Sequence, residues 1–447
     1  MMGALDASII QVALSRIRHT YGITVEQTTW LATAYILAAV LVMPLTGFLG
    51  RRFGQKRVYQ SCLALFVLAS IGCAMAPSFA WLVILRAIQG LGAGALQPTE
   101  QAILRQTFPA EQLGTAMGVF NLAVGIGPLT GPTLGGWIVD HAQWSWIFLI
   151  NVPLGALGLA MVGRFVPADE PRVVEARLDW PGIAVLWLTL AALQYVLEEG
   201  HPRGWLASPV IAVIAAVAVV GAIAFVRREL RVAAPAVRLR VFREPTFALA
   251  AVTNAVAMAI LLSGAFLLPV FLQELLGYTA MASGLAQLPR TIVMVIAMPI
   301  LGRLYNRLPP RGSVFVGLVI AAIGQLLMAR LTLTSTAADA MVALVLQGLG
   351  MSVVIIVLST LALARVPRTE LGDAAGLASL LRQVGVSTGL ALLATLLARA
   401  THIPPGAGSS EILRARLVAF QHTFTVGAVL YVVLLPLVWF LRPARAP

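Results

Sequence analysis

Charge is scarce in this sequence. Of its 447 residues, 11% are Asp, Glu, Lys or Arg and 59% are hydrophobic, with a mean hydropathy of +0.90. So few polar groups cannot cover the surface of soluble domains, and the lipid bilayer must be the solvent. Long polar stretches are missing as well. Apolar runs of roughly 17 to 25 residues recur from end to end, and no segment between them is long enough to fold as a soluble domain. The two cysteines, Cys62 and Cys73, share one predicted helix and sit about 16 Å apart along its axis. At that separation they cannot bridge each other, and they say nothing about redox compartment. The five histidines, His19, His141, His201, His402 and His422, fall at or near helix ends without metal-ligand spacing. No phosphate-binding loop is present. No metal, nucleotide or other cofactor is therefore expected.

Acidic residues are the second shortage, with 18 against 31 basic ones and a net charge of +13. In a soluble chain such a surplus would suit nucleic acid; here it is confined mainly to alternate short loops, which is a topology signal instead. Breaks at Pro, Gly and charge place helices near 1–18, 28–49, 58–76, 79–98, 114–138, 146–166, 180–197, 207–226, 246–272, 281–302, 312–331, 339–364, 374–398 and 421–441, fourteen in all. With the N-terminus inside, 21 basic residues fall in cytoplasmic loops and tails, seven on the far side and three within helices. That asymmetry predicts a multi-pass protein of the inner (cell) membrane with both termini cytoplasmic. Only five residues precede Asp6, so Met1 is expected to lie inside the first helix. The apolar start lacks the basic n-region and the cleavage site of a secretory signal.

The chain also repeats itself. At an offset of 258, Gln89-Gly90-Leu91-Gly92 answers Gln347-Gly348-Leu349-Gly350, and Pro109, Leu113, Gly114 and Gly118 answer Pro367, Leu371, Gly372 and Gly376. At an offset of 255, Met43-Pro44, Gly47 and Leu49 answer Met298-Pro299, Gly302 and Leu304. Two repeats of the same orientation, six helices each, leave helices seven and eight as an insertion. The expected organisation is an N-terminal half over 1–166, an inserted helix pair with linkers over 167–244 and a C-terminal half over 245–447.

Several motifs sit on these helices. The first carries Leu5-Asp6-Ala7-Ser8-Ile9-Ile10-Gln11-Val12-Ala13-Leu14, and the second Trp30-x-x-Thr33-Ala34-Tyr35-x-Leu37-Ala38. A loop follows with Gly47-Phe48-Leu49-Gly50-Arg51-Arg52-Phe53-Gly54-Gln55-Lys56-Arg57, then Leu85-Arg86-Ala87-Ile88-Gln89-Gly90 in the fourth helix. The fifth holds Gly118, Gly127, Gly131-Pro132 and Gly135-Gly136, and Trp144-x-Trp146-Ile147-Phe148-x-Ile150-Asn151-Val152-Pro153-x-Gly155 leads into the sixth. In this order and on these helices they resemble the fourteen-helix drug/proton antiporters of the major facilitator superfamily, the EmrB/QacA-like multidrug exporters, over essentially the whole chain. The resemblance implies an all-α membrane fold of two six-helix halves plus two inserted helices. It departs at Arg51, which stands where the family's loop has an acidic residue usually credited with latching one gate.

Physical chemistry limits what these residues can do. Gly127, Gly131 and Gly135 share one helix face and admit a neighbouring backbone, while Pro128 and Pro132 each remove a helix hydrogen bond. Ordinary membrane-helix packing would explain them; the full spacing points to a closely packed, bendable hinge between two access states. Arg86 lies too deep to reach water cheaply and shares a face with Gly90 and Gly94, so it should point into protein, either as a structural ion pair or, as the resemblance implies, in proton coupling. Asp6 is the one carboxylate placed well inside a predicted helix, and only a group that can change charge can carry a proton. A fixed salt bridge or a helix cap is the plainer role for it. Arg290 and Arg382 lie near predicted helix ends, where snorkelling competes with a place in a cavity. Tyr35, Asn121, Asn151, Asn254 and Gln287 could line a central cavity or simply bond between helices.

The expected function is proton-coupled export of amphipathic small molecules by alternating access, with Asp6 exchanging protons, Arg86 tuning it and the proton gradient as the energy source. A dedicated exporter of one metabolite or antibiotic is the alternative within that class. A transporter-derived membrane sensor or a polytopic enzyme is the alternative outside it, although the clustered His, Asp, Glu or Ser of an enzyme site is missing. Protons, small amphipathic substrates and lipid are the expected partners, nucleic acid is not, and a monomer is expected with an envelope-spanning adaptor left open.

Overall fold

A computed structural model describes residues 2–167, 179–200, 203–232, 235–400 and 409–441; within its helices the side chains at 25, 26, 110, 128, 129, 132, 133, 280, 394, 398–400, 409 and 410 also fall outside the described set. The chain is 87% helical, with no strand among the described residues. In order the helices are α1 (Met2–Tyr21), α2 (Val25–Val42), α3 (Thr46–Phe53), α4 (Gln55–Ala74), α5 (Phe79–Thr107), α6 (Ala110–His141), α7 (Trp146–Leu149) and α8 (Asn151–Phe165). There follow α9 (Trp180–Glu199) and α10 (Pro209–Arg231), then α11 (Pro245–Glu274), α12 (Ala280–Leu285), α13 (Leu288–Leu304), α14 (Pro310–Met328), α15 (Asp339–Ala364), α16 (Leu371–Ala400) and α17 (Ser409–Val438).

Three predicted helices consist of two pieces each. Pro44 has no N–H to give, and the chain tightens into a 3-10 turn over Met43–Leu45 between α2 and α3. Similar joints separate α7 from α8 and α12 from α13. Among the described residues twelve helical segments are long and apolar enough to cross a membrane, and α1 and α6 are not among the twelve. Fourteen spans therefore stays an expectation. Caps fix several starts: Thr24 and Gln27 form a capping box on α2, Ser78 accepts from Trp81 N–H on α5, and Asp179 accepts from Gly182 N–H on α9. Two helices outrun their predicted ends. α5 continues through Pro98 to Thr107, and α17 begins at Ser409, where Glu411, Arg414 and Arg416 hide an amphipathic first turn from a hydropathy reading.

The repeated glycines explain how each half packs. A Cβ on Gly90 or Gly94 would strike the α2 backbone at Tyr35 and Ala39, and one on Gly92 would lie 2.7 Å from the Cys62 carbonyl oxygen of α4. The counterparts do the same work in the other half: a Cβ on Gly348 would lie 2.6 Å from the Arg290 carbonyl oxygen of α13, and one on Gly350 2.5 Å from the Gly317 carbonyl oxygen of α14. In each half one helix is thus gripped from two sides by small-residue contacts. The inserted pair α9 and α10 packs on itself and is tied by Asp179, which accepts from Arg228 at 2.6 Å; those hydrogen bonds hold the Asp179 carboxyl below its ordinary range.

Two glycine crossings bring the halves into close contact, both near the end that carries the Arg51 loop. Gly114 and Gly118 of α6 meet α13, with a Cβ on Gly114 reaching 2.6 Å from the Gly302 carbonyl oxygen and one on Gly118 2.8 Å from that of Met298. Gly372 and Gly376 of α16 meet the α2–α3 joint, a Cβ on Gly372 lying 2.9 Å from the Gly47 Cα. Farther along the same face of α6 the halves separate, since a Cβ on Gly125 would meet nothing within 4 Å.

Candidate functional site

Asp6 sits on α1, which is seated on α6 by the fifth-helix glycines. A Cβ on Gly131 would collide with Ser8 Oγ, and one on Gly135 would come 3.1 Å from the Ile9 carbonyl oxygen. Ser8 Oγ in turn donates to the Gly127 carbonyl at 3.2 Å. This glycine face therefore works inside the N-terminal half, one turn from Asp6, while Gly136 makes only an ordinary 3.9 Å approach to Val12. The side chain of Pro132 lies outside the described residues.

At the seat of α1 a closed polar cluster forms. Arg86 Nη1 donates to Asp6 Oδ2 at 2.5 Å, and Asp6 Oδ1 accepts from Asn151 Nδ2 at 2.9 Å and from Gln89 Nε2 at 3.1 Å. Ser70 Oγ accepts from Gln89 at 2.6 Å and from Asn151 at 3.0 Å. Arg86 also donates to Gln89 Oε1 at 2.7 Å and to the Leu31 carbonyl at 3.2 Å, and its guanidinium lies 4.3 Å from the centroid of the Tyr35 ring. Tyr35 is fixed by donating its hydroxyl to the Gly3 carbonyl at 3.2 Å. Exposure is 1% for Asp6 and 0% for Arg86, so neither reaches water in this conformation. Asp6 thus accepts from three donors, and it is the only carboxylate facing Arg86 in this cluster.

At the crossing of the halves, Arg51 donates to Asp373 of α16, whose side chain is 0% exposed. The loop arginine is thus answered by a carboxylate from the opposite half. The Arg238 backbone N–H also donates to Asp373, which brings the linker after the inserted pair to the same point. Arg52 lies by the Phe53 ring, and Gly54, at φ +91°, makes the turn from α3 to α4 that an L side chain would strain.

A model of the family described as the Major Facilitator Superfamily matches residues 1–390. The chain belongs to the Major Facilitator Superfamily. Among curated proteins it is 33% identical over 353 residues to the uncharacterized MFS-type transporter YhcA of Bacillus subtilis, covering 79% of this chain and 66% of that one. It is 34% identical over 322 residues to the multidrug export protein EmrB of Haemophilus influenzae, covering 72% and 63%. The matched part thus spans a little under two thirds of these relatives' length. The solved structure of the proton:xylose symporter XylE superposes with a TM-score of 0.68 at 12% identity, over 99% of this chain and 94% of that one, which fixes the superfamily fold.

Within that fold, three expectations are decided. Asn151, a candidate either for lining a cavity or for bonding between helices, does the second: it is 0% exposed and belongs to the Asp6 cluster. Asp6 is not the one carboxylate well inside a helix, because α5 runs on to Thr107 and so encloses Glu100, which accepts from the Tyr59 hydroxyl at 2.8 Å; Asp373 and Glu229 are buried as well, near the ends of α16 and α10. Arg290 and Arg382 do not snorkel: Arg290 is 9% exposed and donates to Gln287, and Arg382 reaches across the halves to Gln97 Oε1 at 2.5 Å. Asn121 also bridges the halves, donating to Ser359 Oγ at 3.3 Å, while the enclosed Asn254 Oδ1 has no hydrogen-bond partner. Sequence reasoning passed over Gln89, Ser70, Gln97 and Asp373. Gln89 stood in a quoted motif at i+3 from Arg86, and Asp373 stood beside a repeat-matched glycine, so both carried a signal; Ser70 and Gln97 carried none.

Proposed function

We propose that this chain is a proton-coupled exporter of amphipathic small molecules that works by alternating access in the inner membrane, as a monomer with both termini in the cytoplasm. The observation that carries the proposal is the sealed Asp6–Arg86 pair, placed in one of two halves that touch at the basic end and part beyond it. With the basic end cytoplasmic, this conformation faces outward. A proton reaching Asp6 from outside would cancel its charge, leave Arg86 without a counter-ion and loosen α1 from α5. The halves would then reclose on the outer side, and the proton would leave inward as substrate loads. The relatives' name as multidrug export proteins supports small-molecule cargo. No cofactor has a part in this cycle. The two halves, 1–166 and 245–447, act as the moving bodies and 167–244 as an attached pair.

Proteoliposomes with an imposed pH gradient and a panel of amphipathic dyes test it. Uphill dye movement that collapses with a protonophore is expected; movement indifferent to the gradient overturns the proposal. Transport of a single compound from the panel would favour a dedicated metabolite exporter.

A further inference from the structure

Among arginines buried or half-buried in the helices, Arg86 and Arg51 are answered by carboxylates, Asp6 and Asp373. Arg382 and Arg290 are not. Among the described residues neither forms an ion pair, and each has one amide oxygen for a partner, from Gln97 and Gln287. Arginine cannot shed its charge, and an unanswered guanidinium at this depth is costly. Arg382 lies eleven residues from the start of α16 and eighteen from its end, about 16 and 27 Å along the axis. It is therefore far from either membrane face.

Where the remaining N–H groups point is decided by enclosure. Arg86 Nη2 is among the buried atoms that lack a partner, but no nitrogen of Arg382 or Arg290 is, so their free N–H groups reach open space. For Arg382 that space lies between the halves, because its partner Gln97 belongs to α5 and residues 381–390 of α16 are all half-buried. Arg290 holds the place that Tyr35 holds in the other half: the offset of 255 aligns them, and Gly348 packs on one backbone as Gly90 packs on the other.

We propose that Arg382, seconded by Arg290, is the head-group site for the cargo, and that the preferred cargo is an amphipathic monoanion, a carboxylate on an apolar tail. The Gln97 amide oxygen occupies the place of one carboxylate oxygen. A carboxylate offers two oxygens matched to the guanidinium fork and a full negative charge, so it displaces Gln97. That displacement unties α5 from α16, one of the bonds that hold the halves together. The proposal rests on the transport function above only for calling the ligand a cargo.

The test is binding to the full chain in nanodiscs without any gradient, using decanoate, decanol and decyltrimethylammonium, which share a tail and differ in head charge. Decanoate should bind at least about 10-fold more tightly than the other two. Arg382→Ala should remove that preference and leave decanol binding unchanged, while Arg382→Lys, which keeps the charge and loses the fork, should retain part of it. Gln97→Glu places a permanent carboxylate beside Arg382 and should abolish the preference without deleting the arginine, which covers the case of an Arg382→Ala variant that does not fold. Equal or tighter binding of the cation, or an unchanged decanoate preference in Gln97→Glu, overturns the proposal. Decanoate binding that depends on Arg382 without gradient-driven export would leave this site standing and remove the proton-coupled reading instead.

Discussion

Replacing Asp6 with Asn separates coupling from structure. The amide matches the carboxylate in shape, but one of its two heads is a donor, and Asp6 now accepts from Arg86, Gln89 and Asn151 together. One of those donors must then face another donor, and Arg86 is left buried without its counter-ion. Breaking a buried pair from one side costs about 3–5 kcal/mol, so Asp6→Asn alone should lose stability as well as coupling. The double variant Asp6→Asn, Arg86→Gln removes both charges and should recover most of that loss, since the remaining amides can bond to one another and to Ser70. Neither variant can carry a proton. One proton crossing ~150 mV is worth roughly 3.5 kcal/mol, a few hundred-fold substrate gradient. In proteoliposomes that gradient should collapse to equilibration in the double variant, while its melting midpoint returns toward the parent's. Gradient-driven accumulation by a well-folded double variant would refute the assignment of the proton to Asp6.

Gly131→Leu should stop transport by pushing α1 and Asp6 off their seat, whereas Gly136→Ala, whose Cβ finds its nearest neighbour at 3.9 Å, should transport normally; equal damage from both would show that the face has no specific role. Arg51→Glu sets two carboxylates against each other and should open the basic end, seen as a longer distance between spin labels at Arg52 and Thr369 on a cysteine-free background. Adding Asp373→Arg should shorten that distance again, and a single variant with an unchanged distance would show that this ion pair holds nothing. For a one-proton cycle, exporting a neutral compound moves one charge and exporting a monoanion moves two, so the voltage-dependent drive at ~150 mV rises from about 3.5 to about 7 kcal/mol. Transport currents for decanoate and a neutral dye at matched flux should stand near two to one, and a ratio near one would exclude this stoichiometry.

Much of the scaffold is legible in the sequence because it is written in apolar length and in glycine. Gln89-Gly90-Leu91-Gly92 and its copy at 347–350 grip neighbouring helices in the same way, so a repeat of letters is a repeat of contacts. Asp6 and Arg86 are legible for a different reason, as ionised groups in segments where lipid makes charge expensive. Their partners are harder to read. Ser70 and Gln97 are small polar residues in apolar runs, and only the crossing of helices shows that one completes the Asp6 cluster and the other meets Arg382. Asp373 escapes because its position near the start of a predicted helix suggests a cap, while its partner Arg51 lies 322 residues away in the chain.

The repeat also shows how two tasks can be divided between copies of one scaffold. The offset of 258 pairs Arg86 with Leu344 and Gln89 with Gln347, so the C-terminal half keeps the amide and lacks the charge. Gln347 there bonds to Gln325, itself the counterpart of Ser70 at the offset of 255, which makes a neutral version of the Asp6 cluster. Conversely, Tyr35, which covers Arg86, is answered by Arg290, and Val124 is answered by Arg382. The ionisable acid and its arginine are sealed in the N-terminal half, and the arginines with N–H groups open to the cleft belong to the C-terminal half. A proton and an anion competing for one arginine would be bound at a single place and could short-circuit the exchange. Held in separate halves, they act on each other across the contacts between the halves, the glycine crossings at Gly114, Gly118, Gly372 and Gly376 and the Arg382–Gln97 and Asn121–Ser359 hydrogen bonds, so release of either is tied to movement of the halves.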